Sequence, residues 1–148
     1  MFPDGDRGGN SIKIGSRGNL HSTWDGLLGG SASSGDVLKR VAKLKNDKAT
    51  VAKVIAHRDS FGADSSKWID AELWLMESRK AGRQYVYNQE ILEPVTVAAR
   101  GLVDEVHIPQ LSEAYLVEAG RVARIRATQA GYRLEEVLSD GEKRIDKS

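Results

Sequence analysis

The fold class this chain predicts is all-α. Apolar residues recur at intervals of three and four along most of its 148 residues, and period-two alternation is nearly absent. Between the periodic stretches lie glycine, serine and proline signals of the kind that separate helices. A tight turn over residues 6–10, Asp-Arg-Gly-Gly-Asn, leads through a short extended stretch at 11–14 to a first helix. Asn19 can cap that helix, Leu20, Trp24, Leu27 and Leu28 form its apolar stripe, and Gly29-Gly30 ends it. After a Gly-Ser-rich linker at 29–35, helices are expected over about 36–44 and 47–57, the second turning Val51, Val54 and Ile55 inward, with Phe61-Gly62 as its stop. Trp68, Ala71, Leu75, Ser78 and Gly82 form the seam of a further helix that Ser65 or Ser66 can cap. A loop is expected at 88–94. The last helix, about 111–138, places Leu116, Gly120, Ala123, Ala127, Gly131 and Leu134 in one row of mostly small residues that allows close approach by a neighbour.

Composition narrows the function classes only a little. The formal charge is +1, so the chain as a whole carries no excess of cations of the kind that marks nucleic-acid binding. With no cysteine, neither disulfides nor thiolate ligands are available, and any metal must be held by His, Asp, Glu or backbone atoms. Hydrophobic residues make up 40% and the mean hydropathy is -0.43, which suits one domain with a modest core. No apolar run reaches the roughly 18 residues of a membrane span, so no membrane partner is expected, and the first residues do not read as a signal peptide. The compartment stays open.

The residues with the most chemistry are His21 and Asp25. Four positions apart on a helix, they share a face, and their imidazole and carboxylate can converge on one ion, with zinc the natural choice for such ligands. A hydrogen bond between them on the helix surface is the plainer alternative. Trp24 sits in the apolar stripe and reads as core rather than as a base-stacking side chain. His57 reads as an ordinary histidine at a helix end, where it favours the helix dipole. Its neighbours Arg58 and Asp59 complete the letters of a kinase catalytic loop, but no glycine-rich loop or Asp-Phe-Gly accompanies them. His107 has no carboxylate at ligand spacing. Arg121, Arg124, Arg126 and Arg133, interleaved with Glu118, Glu135 and Glu136, read as a solvated helix face.

The string Asp6-Arg7-Gly8-Gly9-Asn10, followed by Asn19-Leu20-His21-Ser22-Thr23-Trp24-Asp25-Gly26-Leu27-Leu28, resembles the zinc-dependent type I nuclease family: the single-strand-preferring nucleases of moulds, the bifunctional nucleases of plants and bacterial relatives, akin to zinc phospholipase C. Trp74-Leu75-Met76-Glu77-Ser78, with Gly82 and Tyr87, and Gln129-Ala130-Gly131-Tyr132-Arg133-Leu134 are similar to later family segments in the same order. The resemblance implies a helical, bundle-like domain of the phospholipase C/nuclease type. It implies hydrolysis of single-stranded DNA and RNA to 5′-phosphate ends at a site of three zinc ions. His21 and Asp25 would be two ligands of one zinc, while Gly8 and Asn10 would line the nucleobase pocket. Other family ligands lie in a half that precedes the glycine turn, so residues 1–148 are expected to be the C-terminal portion of a single nuclease domain. That missing half is then a candidate partner. A non-catalytic helical remnant or interaction module is the alternative. Either way, part of the Trp24, Leu27 and Leu28 face and of the small-residue row is expected to stand exposed, which favours self-association.

Overall fold

The computed structural model describes residues 6–16, 18–62, 65–100 and 109–145. The expected fold class holds: the described residues form helices joined by turns, and the only β pairing among them is an isolated antiparallel bridge between Lys13 and Asn19. In chain order the helices are α1 (Leu20–Asp25), α2 (Ser34–Asn46), α3 (Lys48–Asp59), α4 (Ser65–Trp68), α5 (Ala71–Ala81), α6 (Gln89–Ala99) and α7 (Glu113–Ile145). A 3-10 turn, Gly26–Leu28, extends α1, and a π-helical turn, Gly82–Val86, extends α5.

Most helix starts are dictated by a polar side chain that takes up an otherwise unbonded N–H of the first turn. Asn19 accepts from the Ser22 N–H at 2.7 Å while Ser22 Oγ accepts from the Asn19 N–H at 3.2 Å, a reciprocal capping box for α1. Ser33 caps α2, and Asp47 both closes α2 and opens α3, accepting from the Thr50 N–H at 3.1 Å. Asp70 receives the Leu73 N–H at 2.9 Å and starts α5. Ser112 Oγ receives the Tyr115 N–H at 3.0 Å and starts α7.

The chain divides into two compact units. The first comprises Met1–Gly30 and Lys80–Val122, the second Ser31–Arg79 and Ala123–Ser148, with α5 and α7 contributing to both. In the first unit Ile12, Ile14, Leu20, Ile91, Tyr115 and Ala119 form a buried cluster, and Trp24, Leu27, Val86, Tyr87, Val95, Leu111 and Leu116 pack around it. In the second unit Val54 and Trp68 are fully buried, and Thr50, Thr128, Gln129 and Arg133 are buried polar residues.

Several expectations are corrected. Of residues 88–94 only Asn88 lies outside a helix: α6 takes in 89–94 and carries Pro94 in its interior. Burial of Ile91 outweighs the hydrogen bond that proline cannot donate to the Glu90 carbonyl. The seam from Trp68 to Gly82 is broken at residues 69–70, Gly82 belongs to the π turn, and Leu75 is 51% exposed. Trp74 points inward instead, its indole N–H bonded to the Trp68 carbonyl at 3.0 Å. On α7 the inward residues are Tyr115, Ala119, Gly120, Val122, Thr128, Gln129 and Arg133, whereas Gly131 and Leu134 of the small-residue row face solvent. The Trp24, Leu27 and Leu28 face is not left open, since all three are half-buried and the first two pack on the core. Exposed apolar side chains lie at Leu38, Met76, Val117 and Leu138 among others, and at Leu134, which belongs to the small-residue row expected to stand partly exposed. No helix among the described residues is long and apolar enough to cross a membrane.

Candidate metal centre

The glycine turn and α1 are built as one piece. Arg7, Gly8 and Gly9 take successive positive φ angles of 54°, 66° and 87°, which reverses the chain within three residues. Gly9 is buried, and its carbonyl receives the N–H groups of Ile12 at 3.3 Å and His21 at 3.4 Å. A Cβ at Gly9 would lie 3.1 Å from the His21 backbone nitrogen, so the close approach of turn to helix requires glycine there. The Leu20 N–H reaches the Ile12 carbonyl at 2.9 Å, and Leu20 itself is buried. His21 therefore leaves the helix directly over the turn.

Its ring is held on both sides. Nδ1 is 3.0 Å from the Gly8 carbonyl oxygen, and Nε2 is 3.1 Å from Asp25 Oδ2. A carbonyl oxygen only accepts, so the proton sits on Nδ1 and a neutral ring turns the Nε2 lone pair toward a carboxylate oxygen. Two acceptors then face each other. A cation shared between them resolves the conflict: either a proton, giving an imidazolium–carboxylate pair, or a metal ion. Tetrahedral zinc holding one nitrogen and one oxygen at ordinary bond lengths sets them about 3.3 Å apart, close to the separation here. A ring N–H donated to a backbone carbonyl is also the usual second contact of a metal-bound histidine. The donor set thus fits two positions of one zinc. With side chains 47% and 70% exposed, His21 and Asp25 leave the remaining positions open to solvent or further ligands. Among the described residues no group of three or more His, Cys, Asp or Glu side chains is close enough to complete a site.

Asn10 folds back on the turn, its amide nitrogen donating to the Arg7 carbonyl at 2.9 Å, and Gly8 is exposed beside it. One amide N–H of Asn10 is thus committed to holding the turn. Trp24 behaves as expected of a stripe residue: its ring meets Tyr115 edge-on with centroids 6.4 Å apart, and its indole N–H donates to the Tyr115 hydroxyl at 2.9 Å. That hydroxyl in turn donates to the Val86 carbonyl at 3.0 Å. Burial pushes the Tyr115 phenol pKa up.

A model of the S1/P1 nuclease family matches residues 2–141. The chain belongs to the S1/P1 nuclease family. No curated protein and no solved structure matches it. Membership of this family, which is generally zinc-dependent, makes a nuclease the coarse functional assignment and nucleic acid the expected substrate.

The remaining histidines and arginines with possible chemistry are placed by the second unit and by the start of α7. His57 does lie in the last turn of α3, but its Nε2 is also 2.9 Å from Glu77 Oε1. Arg133 is no solvated residue: it is 3% exposed and grips both Glu77 oxygens at 2.7 and 2.8 Å. Arg126 reaches Glu77 at 2.6 Å and the Ser78 hydroxyl at 2.8 Å. The partners stand far apart in sequence, so no local spacing announced them. Arg121 pairs with Glu118 and lies over the Tyr85 ring, and Arg124 is 3.8 Å from Asp47. His107 lies outside the described residues.

Proposed function

We propose that this S1/P1 family chain contributes to zinc-dependent hydrolysis of phosphodiester bonds in single-stranded DNA and RNA, leaving 5′-phosphate ends. The observation that supports it most is the Gly8 carbonyl on His21 Nδ1, which leaves Nε2 facing Asp25 as a ligand pair. In this reading Nε2 of His21 and Oδ2 of Asp25 take two positions of one zinc, and their exposure admits a phosphate from solvent. Zinc, when bound, supplies Lewis-acid charge to the phosphoryl group and acidifies water to a pKa of about 7. The chain's own part is to orient. Gly8 exposes backbone that a nucleobase can approach closely, and Asn10 retains a carbonyl oxygen and an N–H for a base edge.

The test is an assay of single-stranded DNA cleavage with added zinc, end-group analysis, and the variants His21→Ala and Asp25→Ala. Loss of activity by orders of magnitude with helix content unchanged supports the proposal, because an i, i+4 surface pair contributes only about 0.2–0.5 kcal/mol to a helix. Full activity in either variant contradicts it. A second reading, a helical interaction module that associates with itself or with a separate nuclease half, is favoured by the exposed apolar side chains of Leu134 and Leu138. A chain that binds no zinc and sediments as an oligomer would favour that reading.

A further inference from the structure

We propose that the groove of the second unit between α2, α3 and α7 is a binding site for a linear aliphatic anion, an alkyl chain that ends in a carboxylate or a phosphate. The groove has a volume of about 660 Å³, ordinary for a small-ligand site. Val41 and Leu44 of α2, Val51 of α3, and Ala127 and Gly131 of α7 give it a mainly aliphatic lining, to which Tyr132 adds one ring. Such a surface suits an alkyl chain better than a run of nucleobases, which stack on aromatic platforms. The site lies within one unit and is independent of the metal-ligand reading of His21 and Asp25.

The chain leaves this lining unfilled in three ways. α2 has no buried residue, although Val37, Val41 and Leu44 share one face at i, i+4 and i+7, and the two valines remain 40% and 41% exposed. The apolar face of α2 is thus uncovered. Gly131 lies inside α7, where glycine is less favourable than alanine, yet a Cβ built on it would meet nothing within 4 Å. No packing among the described residues calls for glycine there; what the missing side chain preserves is the depth of the groove. Thr128, also in the lining, is only 8% exposed, and its hydroxyl is buried without a hydrogen-bond partner. Buried hydroxyls are normally bonded, so an unmet one in the wall points to a polar group supplied from outside the chain.

Charge decides the sign of the ligand. α2 carries Lys39, Arg40, Lys43 and Lys45 against a single carboxylate, Asp36, which is already taken by the Ser31 and Ser33 hydroxyls and by Lys39. Lys45 is exposed in the lining, and among the described residues neither it nor Lys43 has an ion-pair partner. An unpaired ammonium beside an aliphatic channel complements an amphiphilic anion. Glu135 of α7 is the carboxylate of the lining and repels such a head group. The head group therefore belongs on the α2 rim, with the alkyl chain lying over Ala127 and Gly131.

The experiment is calorimetry of the full chain at low salt with dodecanoate and dodecyl phosphate, each below its micelle concentration, with decanoate and dodecyltrimethylammonium for comparison. One equivalent of a dodecyl anion should bind, the tighter of the two naming the head group. Decanoate should bind about tenfold more weakly than dodecanoate, as two methylenes fewer are buried. Lys45→Ala should weaken binding about three- to fivefold and Glu135→Gln tighten it about twofold, the scale of partly exposed charges. Gly131→Leu should abolish binding with helix content retained and the melting temperature unchanged or raised. Should that variant fail to fold, the opposite signs of Lys45→Ala and Glu135→Gln decide. Equal affinity for dodecyltrimethylammonium, or no response to these substitutions, would overturn the proposal. A dimer that Gly131→Leu dissociates, in a chain that binds no dodecyl anion, would overturn it in favour of a second copy on this face.

Discussion

The Arg133 guanidinium lies 4.1 Å from the centre of the Trp68 ring. Trp68 is fully buried and its carbonyl accepts from Arg133 Nε at 3.0 Å, so the same residue offers this cation both a π face and a hydrogen bond. Glu77 closes the arrangement by accepting Arg133, Arg126 and His57 on its two oxygens. The result is a partly buried polar cluster, with Arg133 at its most buried point, that anchors α5 and the C-terminal part of α7 within the second unit. It sits among the residues by which the chain resembles its family there, Trp74 to Ser78 and Gln129 to Leu134.

Arg133→Met keeps the bulk but removes the bonds of the guanidinium to Glu77 and to the Trp68 carbonyl, leaving Glu77 with Arg126 and His57. The expected cost is about 3 kcal/mol, the low end for breaking a buried ion pair from one side. Urea unfolding followed by circular dichroism checks it. A change below about 0.5 kcal/mol would mean that the cluster is dispensable.

Glu77 also predicts an acid limit. Burial alone would push its pKa up, but hydrogen bonds from Arg133, His57 and Arg126 outweigh this and hold the carboxyl at about 2, below its ordinary 4.5. A carboxyl depressed in the folded state stabilises fully above its unfolded pKa and loses that contribution as pH falls through the window from about 4.5 to 2. The urea midpoint of the wild type should fall in that window, and Glu77→Gln should show a flatter dependence there from a lower starting stability. Parallel pH profiles for the two chains would count against the assignment.

How much of this was legible in the sequence depended on range. The start of α1 was readable because its cap, its stripe and its glycine stop are neighbours in sequence: Asn19, Leu20 and Trp24, Gly29. Pro94 misled because a breaker is a local signal, whereas the burial of Ile91 that overrides it is a tertiary one. Arg133 was misread for a related reason. Its neighbours Glu135 and Glu136 suggested a solvated face, while its true partner, Glu77, is 56 positions away. At the candidate site, the i, i+4 spacing of His21 and Asp25 was visible, but the Gly8 carbonyl that fixes the ring appears only once the turn folds onto the helix.

Two glycines near the site should respond oppositely to alanine. Gly9→Ala meets a positive φ of 87° and a backbone nitrogen 3.1 Å from the new Cβ. It should cost about 1–3 kcal/mol and disturb the His21 ring. Gly26 has a helical φ of -75° and open space around its Cβ position, so Gly26→Ala should be neutral or stabilising by about 0.4–1 kcal/mol. Thermal melts of the two variants, measured together, make the comparison.

Tyr115→Phe removes one hydroxyl that both receives the Trp24 indole and donates to the Val86 carbonyl. Two part-buried polar groups lose their partner, at an expected cost of about 1–3 kcal/mol. Since Trp24 adjoins Asp25, amide hydrogen exchange in α1 should quicken more than in α3. Equal acceleration in both helices would point to general loosening instead.

Zinc calorimetry on the chain and on its His21→Ala and Asp25→Ala variants separates the proposed metal-ligand role of His21 and Asp25 from a plain surface ion pair. Two side-chain ligands without a closed shell predict about one weakly held zinc per chain, not a tightly bound cluster of three, and its loss in each variant. Zinc binding of the same stoichiometry and strength in wild type and both variants would mean that His21 and Asp25 hold no metal.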